Sequence, residues 1–418
     1  MKNSRNILIY ILIIAVFVQS FPYLSLIMHV VVDFLSPFQF QVFPLDIIVF
    51  VIIFWAILKR GIFLRVILKK CNLEHLALAY VCMGLIAVLT GYFRGESNLF
   101  FDFRLYFFFL LVPALIYYIK TKKELDKIIK FLITTNTTFV LYAFLIDFVL
   151  SGFKFGYLRI NREMNLYCLI LMFCLFFYNK RDSFLKFTSY FAMPLSFLVM
   201  LIDNSRKQYL GFVIALVFLL FLGRKYCTSK KVIFAILVIA CLLSIALGVI
   251  GSFSILQDVY DRATYLTFSD QSIGFRVSAL KFTIQNVMLE HPIFGLGTGD
   301  RFAFYNALSK GLPLHFDYGV NIVNGRVNLH NMYLSIFVIG GLVGLSFFVY
   351  LLLVFLKKAW LAYKASENKE RFLALGVFLG FLTFLAGQFF SGLTMGTITE
   401  TWFLAGLCLA SFNLNKKI

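Results

Sequence analysis

The sequence predicts an all-α polytopic membrane protein of about twelve transmembrane helices, with one large extracytoplasmic loop between the ninth and tenth. Three observations carry this reading. Of 418 residues, 61% are hydrophobic and only 14% charged, where a soluble domain carries about 45–50% apolar and about 25% charged residues. Apolar stretches near the roughly 20 residues needed to span a hydrocarbon core recur along the chain. The 39 Lys and Arg, against 20 Asp and Glu, gather on alternate connections as the positive-inside rule requires. Water-soluble enzyme folds are excluded. The formal charge of +19 reads first as a topology signal, not as a nucleic-acid footprint.

Taken in order, Lys2 and Arg5 precede an apolar run from Ile7 to Val18, which imitates a secretory signal. No small-x-small cleavage site follows and the apolar character resumes at Tyr23, so an uncleaved first helix is expected over 7–32 with its N-terminus inside. Further spans are expected over 42–58, 73–90, 103–119, 128–150, 164–178, 184–203, 206–222, 232–251, 331–356, 372–390 and 398–413. With this arrangement 26 of the 39 basic residues lie on inner segments and 13 on outer ones, and both termini are cytoplasmic. The chain then divides into 1–251 (helices one to nine), a 252–330 loop unit, and 331–418 (helices ten to twelve).

The long loop contains Phe, Tyr, Leu and Val throughout, so order is expected there. Val277, Leu280, Ile284 and Val287 recur at near-helical spacing, which predicts an amphipathic helix lying on the membrane surface. Pro292 and the glycines at 295, 297 and 299 end it. All seven cysteines fall in membrane segments or inner loops, and no spacing suggests a metal site or a disulfide in the outer loop.

Ionisable residues inside a bilayer are functional candidates. Here Asp46, Asp102, Arg104, Asp147, Arg162, Glu163, Asp203, Arg206 and Glu400 all map to outer helix ends, leaving the midplane nearly free of charge. That opposes an ion-coupled transporter, whose sites lie near the midplane. It favours a site at the outer interface, suited to a substrate with a lipid tail and a polar head. Arg residues there, together with His291, His315 and His330, point to metal-free handling of a phosphorylated lipid: guanidinium binds phosphate bidentately and a neutral imidazole accepts a proton.

Each candidate also has a plainer reading. Arg94, Arg159, Arg162 and Lys207 suit interfacial anchoring, and Glu163 and Asp203 suit pairing with neighbouring Arg. Gly295-Leu296-Gly297-Thr298-Gly299 reads as a turn or as a phosphate-binding backbone nest. His291 and His315 read as surface residues. His330 stands where the long loop meets the tenth helix, whose N-terminal partial charge disfavours the imidazolium and keeps the ring available as a base.

Four motifs in order, Asn204-Ser205-Arg206-Lys207, Gly274-Phe275-Arg276, His291-Pro292-Ile293-Phe294-Gly295-Leu296-Gly297, and Leu329-His330-Asn331-Met332-Tyr333-Leu334 followed by Gly340-Gly341-Leu342-Val343-Gly344, resemble the bacterial O-antigen polymerase and O-antigen ligase family. Asn161-Arg162-Glu163-Met164-Asn165 is similar to that family's entry to its sixth helix, with Glu163 where a small residue or Pro is common.

The resemblance implies an inverting glycosyltransferase of the inner membrane that works on the periplasmic side with neither metal nor other cofactor. The donor would be a glycan on undecaprenyl pyrophosphate; the acceptor would be another lipid-linked repeat unit or the lipid A core. It allows a chain-length regulator as partner, and no nucleic acid. Arg206 and Arg276 would bind the pyrophosphate and His330 would act on the acceptor hydroxyl. Asn331, Tyr333, Asn165, Arg104 and Arg162 complete the candidate substrate-binding set. Polymerase is the first expectation, ligase the second, and a lipid-linked oligosaccharide flippase the third.

Overall fold

The computed structural model describes residues 4–18, 32–34, 40–42, 44–70, 74–96, 99–149, 161–177, 183–203, 206–223, 271–299 and 329–415. In chain order these form α1 (Ser4–Val18), β1 (Val32–Phe34), β2 (Phe40–Val42), α2 (Pro44–Lys70), α3 (Glu74–Phe93), α4 (Phe100–Phe107) and α5 (Leu111–Tyr118). There follow α6 (Lys122–Ala143), α7 (Arg162–Phe176), α8 (Ser183–Phe187), α9 (Met193–Asp203), α10 (Arg206–Gly223), α11 (Gln271–Thr283), α12 (Met332–Ala365), α13 (Asn368–Gly387) and α14 (Met395–Asn415). Five helical stretches among the described residues are long and apolar enough to cross a membrane: His75–Phe93, Lys122–Ile146, Ser183–Asp203, Met332–Ala365 and Asn368–Phe390.

One expected bound is corrected. Of the first helix, expected over 7–32, the described residues show helix as far as Val18, and Val32 instead lies in a short ribbon, Val32–Phe34 antiparallel to Phe40–Val42 with Val32 opposite Val42. The other elements among the described residues are helical. The expected span over 103–119 is met by unbroken helical backbone from Phe100 to Tyr118, in which a 3-10 turn at Phe108–Leu110 joins α4 to α5. The expected span over 232–251 lies outside the described residues.

The core is built around α7, whose residues from Met164 to Leu175 are all buried, as expected of a helix apolar on every side. Small residues let α13 approach it: Gly376 and Gly380 lie where a Cβ would meet Leu171 and Tyr167, the close backbone contact that small residues permit between membrane helices. Trp402 of α14 packs edge-on to Tyr80, Phe109 and Phe348 while its indole N–H donates to Leu105 O at 2.8 Å. At the far end of α13, α6 starts on a capping box: Thr121 Oγ1 accepts from Glu124 N at 3.2 Å, and Glu124 accepts from Thr121 N at 3.0 Å.

The tenth expected helix, α12, is broken at Gly341, which has φ +61°. The segment Pro292–Thr298 occupies the break. Pro292 O and Ile293 O accept from Leu342 N (2.8 Å) and Val343 N (3.2 Å), while Leu296 N and Gly297 N donate to Val338 O (2.7 Å) and Ile339 O (3.0 Å). Thr298 N donates to Ala87 O of α3 at 2.9 Å. Backbone groups freed from a helix in a membrane must find partners within the protein, and this segment supplies them. Any side chain at Gly341 would strike the Ile293 carbonyl.

The surface-helix expectation is met in part. Val277, Leu280 and Ile284 are between 42% and 45% exposed, whereas Val287 is buried with Ala279 against Leu329, Leu334 and Val338. The helix therefore docks on the start of α12 by Ala279 and Val287 and leaves the apolar stripe outward.

Candidate functional site

One end of the bundle collects the ends of five elements: the starts of α7, α10 and α12 and the ends of α9 and α13. Antiparallel packing brings them together, and each contributes a polar group. Arg162, the first residue of α7, forms a two-point pair with Asp203, the last of α9: Nε to Oδ2 at 2.7 Å and Nη2 to Oδ1 at 2.8 Å. Glu163 receives Lys207 Nζ from α10 and the Ser391 hydroxyl, the latter at 2.7 Å; Lys207 also donates to Ser391 at 2.6 Å. Asn161 caps α7, accepting from Met164 N at 3.0 Å, and its amide donates to Glu400 Oε1 at 2.6 Å.

His330 stands one residue before the cap of α12. Asn331 supplies that cap, accepting from Leu334 N at 2.9 Å, and the chain reaches it through His330 in left-handed backbone, φ +49°. For a residue other than glycine this conformation costs on the order of 1–3 kcal/mol and persists only where surroundings enforce it. The imidazole is partly buried. Burial first, then the positive charges of Arg276 and Lys207, lower its pKa below the ordinary value of 6.5, so the ring stays neutral and able to accept a proton.

Arg276 lies over the Phe390 ring at 5.8 Å. Tyr333 lies tilted against Phe389, ring centres 4.4 Å apart, and its hydroxyl donates to Leu385 O at 2.8 Å. The last turn of α13 and the four residues after it thus touch Tyr333, Arg276, Lys207 and Glu163. Between α7, α10 and α13 lies a narrow cleft lined by Arg162, Glu163, Lys207, Gln208, Thr383 and Phe384, among others.

Among the sequence candidates, His330, Arg276, Asn331, Tyr333 and Arg162 all belong to this end of the bundle. Arg206 opens α10 here, but its side chain lies outside the described residues, as do Lys154, Arg159, the Asp147 side chain and His315. Asn165 is fully buried in the interior, where it accepts from Asn136 (3.1 Å) and donates to Ser196 O (3.3 Å), tying α6, α7 and α9 together. Arg104 is buried on Asp46, Nε to Oδ1 at 2.8 Å and Nη2 to Oδ2 at 2.7 Å. His291 is partly exposed and shares a 2.9 Å contact with Arg94. The glycine run is no phosphate nest: the N–H groups of Leu296, Gly297 and Thr298 donate to Val338, Ile339 and Ala87.

Sequence reasoning read Lys207 as an anchor, paired Glu163 with Arg, and missed Ser391, Gln208 and Phe390. Glu163 in fact pairs with Lys207, 44 residues away in sequence and adjacent only because α7 and α10 start side by side. Nothing local in the sequence marks Ser391, which is 228 residues from Glu163.

Residues 191–349 match the family model described as O-antigen ligase. The matched stretch contains Asp203, Lys207, Gln208, Arg276, His330, Asn331 and Tyr333, and it stops short of the other half of the site, Arg162 and Glu163 on α7 and Phe390 and Ser391 after α13. No curated protein matches the chain.

Proposed function

We propose that the chain is an inverting membrane glycosyltransferase, first an O-antigen polymerase, which takes a glycan from undecaprenyl pyrophosphate on the periplasmic face of the inner membrane. The observation that carries this reading is His330, held in left-handed backbone at a helix start, where burial first and then Arg276 and Lys207 lower its pKa. The ring Nε2 or Nδ1 removes the proton from the attacking sugar hydroxyl. The hydroxyl oxygen bonds to the anomeric carbon from the side opposite the leaving group, the bond to the pyrophosphate oxygen breaks, and undecaprenyl pyrophosphate departs with the electron pair.

Arg276, with Arg206, holds the pyrophosphate and stabilises the charge that develops on it, the part a divalent cation plays elsewhere. Twelve spans, cytoplasmic termini and a periplasmic loop over 252–330 belong to this reading and rest on the alternation of basic residues. The outward stripe of Val277, Leu280 and Ile284 suits a helix resting at the lipid surface beside the site.

A second reading, ligation of finished polysaccharide to lipid A core, is favoured by the description of the matching family. Gene deletion separates the two. Loss of a polymerase leaves cores capped with one repeat unit; loss of a ligase leaves bare cores and accumulated lipid-linked polymer. In a reconstituted transfer assay, His330→Ala should lose on the order of 10²–10⁴ in rate while remaining folded, and normal transfer by that variant removes the general-base assignment.

A further inference from the structure

One buried acid takes no part in the chemistry above. Glu400, in the second turn of α14, is 3% exposed. Its Oε1 accepts from the Asn161 amide at 2.6 Å and its Oε2 has no hydrogen-bond partner; among the described residues it makes no ion pair. An ionisable side chain in a membrane segment is costly and is kept for a task. Glu400 does not line the cleft, and the charges that act on His330 are those of Arg276 and Lys207. What Glu400 touches is the cap of α7.

That cap has every polar side-chain atom committed. Asn161 is 6% exposed; its Oδ1 accepts from Met164 N at 3.0 Å, and its Nδ2 donates to Val16 O of α1 at 3.3 Å and to Glu400. Turned over, the amide would set N–H against N–H at Met164 and oxygen against oxygen at Val16 and Glu400. Glu400 therefore helps to lock one orientation of the cap and ties the first turn of α7 to α14. The site hangs on that turn. Arg162 pairs with Asp203, its carbonyl accepts from Gln208 Nε2 at 2.9 Å, and Glu163 holds Lys207 together with Ser391. The Lys207 side chain, 19% exposed, is kept where its charge acts on His330.

We infer that Glu400 is a positioning residue: by fixing the Asn161 cap it sets the first turn of α7, and through Glu163 it keeps Lys207 beside His330. It does so as a hydrogen-bond acceptor. The inference rests on the reading of His330 as the base of a glycan transferase. Without the acceptor the first turn of α7 loosens, Glu163 releases Lys207, and the ammonium group turns to water, where its field on the ring is screened. The His330 pKa then rises towards the ordinary 6.5.

The test uses the full-length protein in lipid nanodiscs with isotope-labelled histidine, the His330 resonance being assigned by its loss in His330→Asn. Glu400→Met, similar in length but without the acceptor, should raise the His330 pKa towards 6.5. It should also lower kcat for transfer of a lipid-linked glycan about tenfold, the worth of one buried hydrogen bond, and leave KM unchanged because Glu400 touches no substrate. Glu400→Gln keeps an oxygen for Asn161 and should match wild type in titration and in kcat. Asn161→Ser still caps α7 but has no amide to give Glu400; it should repeat the Glu400→Met effects, and it decides the matter where Glu400→Met does not fold. An unmoved His330 titration in these two variants, or a Glu400→Gln as impaired as Glu400→Met, overturns the assignment. A shifted titration with unchanged kcat overturns the part of Glu400 in the reaction. Absence of transfer by wild-type protein overturns the transferase reading alone, since the His330 titration still decides whether Glu400 holds Lys207 in place.

Discussion

The two ends of α13 hold charge in different ways. Beyond its C-terminal end Ser391 joins Lys207 and Glu163, beside a half-exposed Arg162 and an Asp203 side chain with no solvent exposure; elsewhere Arg104 and Asp46, at 8% and 1%, are buried on both sides. At its N-terminal end, Glu370 meets Lys122 with both side chains over 40% exposed, and Asp126 is shared by Lys130 and Lys369 in the open. Exposed pairs are worth about 0–1 kcal/mol, screened by salt, whereas a buried charge stripped of its partner costs about 3–5 kcal/mol. One end can change its charges freely and the other cannot. The constrained end is where the cleft and His330 lie.

The sharpest way to break this comparison is to remove one member of a buried pair. Asp46→Ala leaves the Arg104 guanidinium buried without its carboxylate and should destabilise the protein by about 3–5 kcal/mol, measured by thermal unfolding in nanodiscs. A loss under about 1 kcal/mol would mean that water reaches this pair as it reaches the other end. A smaller effect sharpens the comparison through pH. Because burial, Arg276 and Lys207 hold His330 below the ordinary 6.5, its base form persists to lower pH than a free histidine's. The acid limb of kcat/KM should therefore have its midpoint below 6.5, and a midpoint above it would place an anion, not two cations, beside the ring. The smallest effect belongs to the open end: Lys122→Ala should change stability by no more than about 0.5 kcal/mol, a change that added salt makes smaller still.

Much of the helix plan was legible in the chain. Apolar runs predicted α2, α3, α7, α9, α10, α12, α13 and α14 within a few residues at most ends, because hydrophobic length is a local quantity that the bilayer imposes directly. The expected end of the first span at Val32 failed because a valine is equally apolar in helix or strand, and hydropathy does not distinguish the two. The break in α12 was invisible for a related reason. Gly340-Gly341 reads as ordinary small-residue packing, and only the arrival of Pro292–Thr298 gives the freed backbone groups a reason to stay unhelical.

The candidate site divides along the same line. Position at a helix start singled out His330, while Arg276, Asn331 and Tyr333 came from the resemblance of the ordered motifs to a known family. Arg162 and Asp203 were visible as charges too costly to leave unpaired, and pairing could be expected without knowing the partner. What the tertiary structure alone decided was partnership across long separations: that Lys207 takes Glu163 and Ser391, that Phe390 lies under Arg276, that Asn165 and Arg104 are tied into the interior, and that Gln208 keeps one oxygen unused. Burial and hydrogen bonding are properties of what surrounds a side chain, and in an antiparallel bundle those surroundings come from helix ends hundreds of residues apart.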